Sequence, residues 1–270
     1  MYLKSIPEHM FHTPRFLEVL NISSNLFTSV PIEIEETHNL KELILDDNPI
    51  ASIKEFPRLD HLEVLHLSWM PNLVSIESRS LSSLKNLKEL NCSHNLLLHS
   101  IDGTALTSAN EEGEIWPPII KLFLNNNKLG YLDSQLLMQW ERVMYLNIQN
   151  NPWICDCNNQ WLVSDLIPLL KKSNSKFMVD GIVCHEPTEM RGKSFIDLHH
   201  RNYFMRCLDK YGRQPEKDAT VLVGVLIGVL LAIPLTAIGF ILYKRQNQTS
   251  KQYSRAFYKA ADVNQVFTET

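Results

Sequence analysis

Signatures of the common enzyme classes are missing from this sequence of 270 residues. It contains no G-x-S-x-G and no H-E-x-x-H, and the R-G-K-S at residues 191–194 has Pro187 where a P-loop needs its first glycine. It also lacks a C-x-x-C redox pair. The ten histidines show no ligand spacing beyond the adjacent His199 and His200. The sequence therefore predicts no enzymatic activity, no metal site and no cofactor.

Strong compositional bias is also absent. The chain is 44% hydrophobic and 21% charged, values that exclude a disordered or collagen-like polymer. Its net charge is −4, and an acidic chain does not favour binding to nucleic acid. The function must therefore be sought in the pattern of residues rather than in their proportions.

One long apolar run interrupts this ordinary composition. Residues 219–243, ATVLVGVLIGVLLAIPLTAIGFILY, contain no charged side chain, whereas about 20 apolar residues suffice to cross a bilayer. A core helix of this length would show a polar face, so a transmembrane helix is favoured. Five basic and two acidic residues follow, which places residues 244–270 in the cytoplasm by the positive-inside rule. We predict a single-pass type I protein of the plasma membrane, in contact with the lipid bilayer, with residues 209–218 as an extracellular stalk.

A phrase of the form L-x-x-L-x-L-x-x-N recurs before this run. Successive starts are 22 to 25 residues apart, except for one step of 32. Alternation within L-x-L predicts a short strand with its leucines on one face, and parallel stacking buries those leucines in a core that no single repeat can form. The closing Asn turns the chain out of the strand. The six copies start at Leu17, Leu40, Leu62, Leu87, Ile119 and Val143.

Three departures from the phrase lead to separate expectations. Met70 replaces the Asn of the third copy and indicates a one-residue insertion that displaces the turn. Cys92 fills a leucine position and is expected to be buried and reduced. Residues 102–118 cause the long step and are expected to form a surface loop. The chain opens on YLKSIPEHMF, the back half of a repeat, so we expect a truncated N-terminus.

Four cysteines follow the last repeat, at Cys155, Cys157, Cys184 and Cys207. Four cysteines allow three disulfide pairings, and spacing alone does not choose among them. A zinc site that adds His185 is the alternative, but C-x-C is a poor version of the usual C-x2-C knuckle. On the non-cytosolic side of a membrane, disulfides are favoured.

Two motifs in this region carry a resemblance to a known family. Residues 151–162 match N-P-W-x-C-x-C-x-x-x-W-L, and a C-x-x-P…R-G…L pattern follows. Together they resemble the C-terminal cap of extracellular leucine-rich-repeat proteins, and the layout is similar to short-tailed receptors of the trophoblast glycoprotein type, with an ectodomain like those of Slit and Toll proteins. The resemblance implies the pairs Cys155–Cys184 and Cys157–Cys207. The second pattern lies at Cys184, Pro187, Arg191, Gly192 and Leu198.

The fold expected from these observations is an α/β leucine-rich-repeat solenoid with a curved parallel sheet on its concave face. Residues 1–151 form the repeats, a partial first one and six more, and residues 152–208 form the disulfide-bonded cap. One transmembrane helix follows.

A solenoid of this kind presents its function on the concave face, so we predict a cell-surface receptor or adhesion molecule that binds an extracellular protein ligand. The slot at the strand centre holds Asn21, Ile44, His66, Asn91, Phe123 and Asn147. Aromatic and large apolar side chains are typical interface anchors. The candidate contacts are Ile44, His66, Trp69, Phe123 and Tyr145.

Sequons and glycines add further candidates. Asn21 and Asn91 begin N-x-S sequons and are predicted glycosylation sites, whereas the sequon at Asn247 lies on the cytoplasmic side and should stay unmodified. Gly224 and Gly228 form a small-xxx-small face that predicts a homodimer through the span. An alternative function follows from that face, namely an auxiliary subunit that modulates a channel or receptor through its membrane helix. A fragment of a larger Toll-like receptor is a third interpretation.

Overall fold

The structure is a computed structural model that describes residues 2–111, 113–138, 142–172, 179–209, 211–212 and 215–266. The chain divides into two compact units, Met1–Gly212 and Arg213–Thr270. The domain limits predicted within these units stay predictions, and residues 210, 213 and 214 of the predicted stalk lie outside the described residues.

The first unit is built on short strands. Six of them form one parallel sheet in the order β1-β2-β4-β6-β10-β11, with each strand three residues long. A three-stranded parallel sheet, β3-β5-β7, follows the turns of the middle repeats. The strands are β1 (Val19–Asn21), β2 (Glu42–Ile44), β3 (Ser52–Ile53), β4 (Val64–His66), β5 (Ser75–Ile76), β6 (Glu89–Asn91), β7 (Ser100–Ile101), β8 (Ser108–Asn110), β9 (Gly113–Ile115), β10 (Lys121–Phe123), β11 (Tyr145–Asn147), β12 (Trp153–Ile154) and β13 (Cys184–Glu186).

The core lies behind the six-stranded sheet. In strands β2, β4, β6, β10 and β11 the middle residue points inward and is buried, whereas its two neighbours are half-buried on the other face. Adjacent repeats stack these leucines directly, because the strands pair without a register shift. The predicted solenoid with a parallel sheet is confirmed. The inward residues are Leu43, Leu65, Leu90, Leu122 and Leu146.

Asparagine side chains at the turns join most repeats to the one before them. Asn127 donates from Nδ2 to the carbonyl oxygens of Leu124 at 2.9 Å and Cys92 at 2.8 Å, and its Oδ1 accepts from the backbone N–H of Asn95 at 2.7 Å. One side chain thus satisfies backbone groups of two repeats that the turn leaves unpaired. We call the set with equivalent positions the asparagine ladder: Asn25, Asn48, Asn95, Asn127 and Asn151.

Met70 occupies the missing position of this ladder. It is fully buried, its backbone N–H donates to Oδ1 of Asn95 at 2.7 Å, and the preceding Trp69 has a positive φ of 59°, like the residue before each ladder asparagine. The extra residue lies further along, before Ser75, which pairs with Ser52 of the neighbouring repeat. The expectation that the insertion displaces the turn was therefore wrong, because burial of Met70 holds the turn in place.

The long step between the fourth and fifth copies is only partly a surface loop. Ala105, Leu106 and Thr107 are buried against the core, and the antiparallel hairpin β8–β9 follows them. Strand β10 still pairs directly with β6, so the insertion lies outside the main sheet. The expected surface loop is correct for the hairpin and wrong for the buried segment before it.

The cap continues the packing of the repeats. Asn159 is buried and donates from Nδ2 to the carbonyl oxygens of Gly130 at 2.8 Å and Ile154 at 2.7 Å. The indole of Trp153 is fully buried and donates to Ile148 O at 3.1 Å. The cap contains a π-helical turn (Leu162–Leu166) that leads into helix α1 (Ile167–Lys172), and later helix α2 (Phe195–His200). Among the described residues, 3₁₀ helices lie at Ile32–Glu36, Ser134–Leu137 and Cys157–Asn159.

Two disulfides fasten the cap. Cys155 is bonded to Cys184, with 5.6 Å between their Cα atoms, and Cys157 to Cys207, with 4.6 Å. These are the pairs that the family resemblance implied. Cys92 is a free, buried thiol, and burial raises its pKa far above the usual range, so it acts as a small apolar core residue.

The second unit is a single helix, α3 (Pro215–Val266). Within it, Thr220–Thr249 is long and apolar enough to cross a membrane. The helix does not end where the predicted span ends at residue 243 but continues through the basic segment that follows.

We expect Asn127→Ala to lower the free energy of unfolding by about 3 kcal/mol, because it leaves buried carbonyl and N–H groups without partners. Denaturant unfolding of the full chain in detergent, followed by tryptophan fluorescence, measures this, since all five tryptophans lie in the first unit. The matched control is Asn86→Ala, which removes one exposed bond to Asp60 O and should cost less than about 1 kcal/mol. Equal losses in the two variants would contradict the role given to the ladder.

Candidate protein-binding face

The outer face of the six-stranded sheet carries one straight row of side chains. Pairing between successive strands aligns the last residue of each strand with the last residue of the next. Strands lie about 4.8 Å apart, so the row spans roughly 24 Å. We call it the central row: Asn21, Ile44, His66, Asn91, Phe123 and Asn147.

Three of the candidate contacts belong to this row. Ile44, His66 and Phe123 are half-buried, so each rests on the sheet and offers only its outer part to a partner. They are not fully exposed, because each lies between residues of the two neighbouring strands. A half-buried apolar side chain has less freedom to lose on binding than an exposed one.

Tyr145 lies one row away, aligned with Lys121 of the adjacent strand. Beside it runs a series of ion pairs between neighbouring repeats, Glu18–Lys41 at 2.7 Å, Glu63–Lys88 at 2.8 Å and Glu89–Lys121 at 2.8 Å. Hydrogen bonding to Lys88 lowers the pKa of Glu63, and hydrogen bonding to Glu89 raises that of Lys121. The pairs Glu18–Lys41 and Glu63–Lys88 are solvent-exposed and add little stability, whereas Glu89 of the third pair is partly buried. Because each pair joins one acidic and one basic side chain, the border of the sheet face formed by these pairs has no strong net charge.

Trp69 is the most exposed of the candidates, with 59% of its surface open to solvent. Its ring stacks on that of His94 in the next repeat, with centroids 4.0 Å apart and planes 12° from parallel. His94 in turn accepts at Nε2 from the amide of Asn126 at 3.0 Å. The indole therefore has a fixed orientation while one of its faces stays open.

Hydrogen bonds between polar groups connect the ends of neighbouring strands. The carboxylate of Asp46 accepts from the N–H of Ser68 at 2.6 Å, and the hydroxyl of Ser68 donates to Oδ1 of Asn91 at 2.9 Å. Burial raises the pKa of Asp46, and the bond from Ser68 opposes that rise. The ionised form of this carboxylate is therefore less favourable in the folded chain than in water.

The two predicted glycosylation sites differ in exposure. Asn21 is exposed at the first strand, whereas Asn91 is half-buried in the middle of the central row. In both, Oδ1 accepts from the hydroxyl of the sequon serine, at 2.7 Å from Ser23 and 2.8 Å from Ser93. These bonds use the amide oxygen rather than the nitrogen to which a glycan attaches. Their modification stays a prediction.

Gly224 and Gly228 lie in α3. A methyl group built on either glycine meets no atom within 4 Å among the described residues. Both positions are exposed along one helix. The homodimer that they suggest stays a prediction.

One cluster was missed in the sequence. His9 and His12 are three residues apart, and the fold brings Glu36 beside them. The H-x-x-H spacing was the available signal, but the carboxylate comes from 24 residues beyond His12 and becomes visible only in the folded chain.

These features define a leucine-rich-repeat solenoid that ends in a disulfide-bonded cap and is followed by one apolar helix of membrane-spanning length. No protein-family model matches the chain. The structure is similar to that of human trophoblast glycoprotein, with a TM-score of 0.43 and 19% identity over 79% of this chain and 84% of that one. A leucine-rich-repeat protein of Leptospira interrogans gives a TM-score of 0.38 and 22% identity over 57% of this chain and 42% of the other.

We expect Asp46→Asn to stabilise the fold at neutral pH, since Asn keeps an oxygen for the N–H of Ser68 and removes the buried charge. Because the pKa of Asp46 is raised in the folded chain, its ionised form destabilises the fold. This loss of stability is complete above the folded-state pKa, and it disappears once the pH falls below the unfolded-state pKa of about 3.9. The gain in melting temperature over the wild type should therefore be present at pH 7 and shrink towards pH 3. Asp47→Asn, which removes an exposed charge, serves as the control. A gain that does not depend on pH would refute this account.

Proposed function

We propose that this protein binds an extracellular protein through the outer face of its six-stranded sheet, as a cell-surface receptor or adhesion molecule. The observation that carries the proposal is the alignment of Ile44, His66 and Phe123 in one register, together with the fixed and exposed indole of Trp69, three residues after His66. Large side chains held in place before binding lose little entropy, and tryptophan is enriched among interface hot spots.

The shape of this face favours a macromolecular partner. A row of roughly 24 Å on an open sheet offers area rather than an enclosed pocket, and area is what protein interfaces require. The exposed ion pairs along the border suit the polar rim of an interface. Because positive and negative charges balance in these pairs, they do not favour a partner with a high net charge.

The proposed location is the outer surface of the plasma membrane. Support comes from the disulfides, which persist in oxidising compartments, and from the apolar helix with basic residues after it. In this arrangement the sheet face lies outside the cell and α3 anchors it.

A second function rests on a different observation. The open space beside Gly224 and Gly228 permits another helix to approach α3 closely. In that case the protein acts as an auxiliary subunit whose membrane helix modulates a channel or receptor, and the repeats serve as a scaffold.

Substitutions distinguish the two functions. In a screen of purified extracellular proteins against cells that display the full chain, Ile44→Asp and Phe123→Asp should each weaken binding of a genuine ligand by about 30-fold, the size of a hot-spot loss of 2 kcal/mol. Ile32→Asp is the matched control, since Ile32 is exposed in the 3₁₀ helix outside the sheet. Loss of function on Gly224→Leu and Gly228→Leu, with the sheet variants unaffected, would instead favour the auxiliary subunit.

The topology is tested through the sequons. We expect a mobility shift on glycosidase treatment that disappears when Asn21 and Asn91 are both replaced by Gln, because these lie on the proposed outer side. Asn247→Gln should leave the shift unchanged. A shift that depends on Asn247 would reverse the proposed orientation.

A further inference from the structure

His9, His12 and Glu36 converge at the N-terminal end of the repeats. One possible ligand atom from each residue lies within 4.8 Å of the other two. Nδ1 of His9 is 3.1 Å from Oε1 of Glu36. The two histidines precede the first full repeat, and Glu36 ends the 3₁₀ helix that follows its strand.

The histidines are carried by an anchored turn. Phe11, between them, packs against the core, and Ile6 just before them is buried. His9 has a left-handed φ of 62°, and its carbonyl accepts from the N–H of His12 at 3.2 Å. This turn directs both imidazoles towards the same side.

Glu36 is held from the other side. Ile34 is fully buried, and the N–H of Thr37 donates to its carbonyl at 3.0 Å, while the Thr37 hydroxyl donates to the same oxygen. Glu36 lies between these two fixed residues, so the backbone that carries its carboxylate is held in place near the histidines.

One oxygen of this carboxylate has no partner. Oε2 of Glu36 is shielded from solvent and makes no hydrogen bond with any described residue. A buried carboxylate oxygen without a partner is costly, and a cation bound by this carboxylate would neutralise its charge and lower that cost.

We propose that His9, His12 and Glu36 bind a zinc ion. Two imidazoles and one carboxylate are a known zinc donor set, in which a water completes the tetrahedron. Bonds of about 2.0–2.2 Å to one ion place tetrahedral ligand atoms roughly 3.3 Å apart. Small side-chain rotations achieve this, since the side chain of His9 is 77% exposed and free to turn. Imidazole ligands favour zinc over magnesium or calcium, which prefer all-oxygen sites.

Such an ion would crosslink the segment that carries His9 and His12 to the first full repeat, which carries Glu36. At present the two are joined here by the contact between His9 and Glu36 and, nearer the sheet, by the bond from Leu3 N to Oδ1 of Asn25 at 2.8 Å. An ion bound only by the folded chain stabilises it by mass action. This site is independent of the proposed binding face and of its ligand.

The test is zinc binding to the full-length chain, purified in detergent without a polyhistidine tag. Isothermal titration with zinc chloride should give one site per chain, and magnesium chloride should not compete. His9→Ala, His12→Ala and Glu36→Gln should each weaken binding by roughly 100-fold or more, since even the loss of a partner that only orients a metal ligand costs 10- to 100-fold. His61→Ala removes another exposed histidine and should bind zinc like the wild type.

Thermal unfolding supplies a second measurement that separates binding from folding. Zinc should raise the melting temperature of the wild type and of His61→Ala but not that of Glu36→Gln. Without zinc, Glu36→Gln should be about as stable as the wild type, because Gln keeps the size of the side chain and an oxygen that can face His9. Wild-type-like zinc binding in the three ligand variants, or no stoichiometric binding by the wild type, would overturn the proposal.

Discussion

The fold depends on the bonds that buried asparagine side chains make between the backbones of adjacent repeats. Stacked leucines supply most of the burial, but apolar contact is non-directional and tolerates sliding. An asparagine amide has two donors and an acceptor in fixed positions, so a side chain such as Asn127 can satisfy two carbonyls and one N–H only when the repeats lie in one register. Each repeat therefore depends on its neighbours for order as well as for burial.

This fixed register is what organises the outer face of the sheet. Because every strand pairs without a shift, the residues at equivalent positions form straight rows, and the half-buried central row follows directly. The replacement of a ladder asparagine by Met70 also affects this face. At Met70 the turn is held by burial instead of by an amide, and the left-handed residue before it is Trp69, a bulky side chain where the other repeats have Ser, Asp, His or Asn. A left-handed conformation is costly for such a residue. Its stacking on His94 offsets part of that cost and fixes the indole.

The sequence alone predicted most of this architecture, since a phrase repeated six times encodes strand, core position and turn together. The central row was also predictable from the repeat, because strands that pair without a shift place residues at equivalent positions side by side. Burial was harder to judge: Ile44 and Phe123 are half-buried because of neighbours that are distant in sequence. The burial of Ala105 and Leu106 was not predicted, because these two core residues lie within an insertion that is polar on the whole. The cluster around Glu36 was missed for the related reason that its members belong to different repeats.

The cap closes the C-terminal end of the solenoid with the same kind of bond that joins the repeats. Asn159 extends the ladder into the cap, Trp153 covers the last leucines, and two disulfides fix the cap. In a stack where each repeat contacts only its neighbours, a crosslink stabilises the segments that it joins. The disulfides act in this way within the cap, and an ion bound by His9, His12 and Glu36 would act in the same way between the turn that carries the histidines and the 3₁₀ helix that carries Glu36.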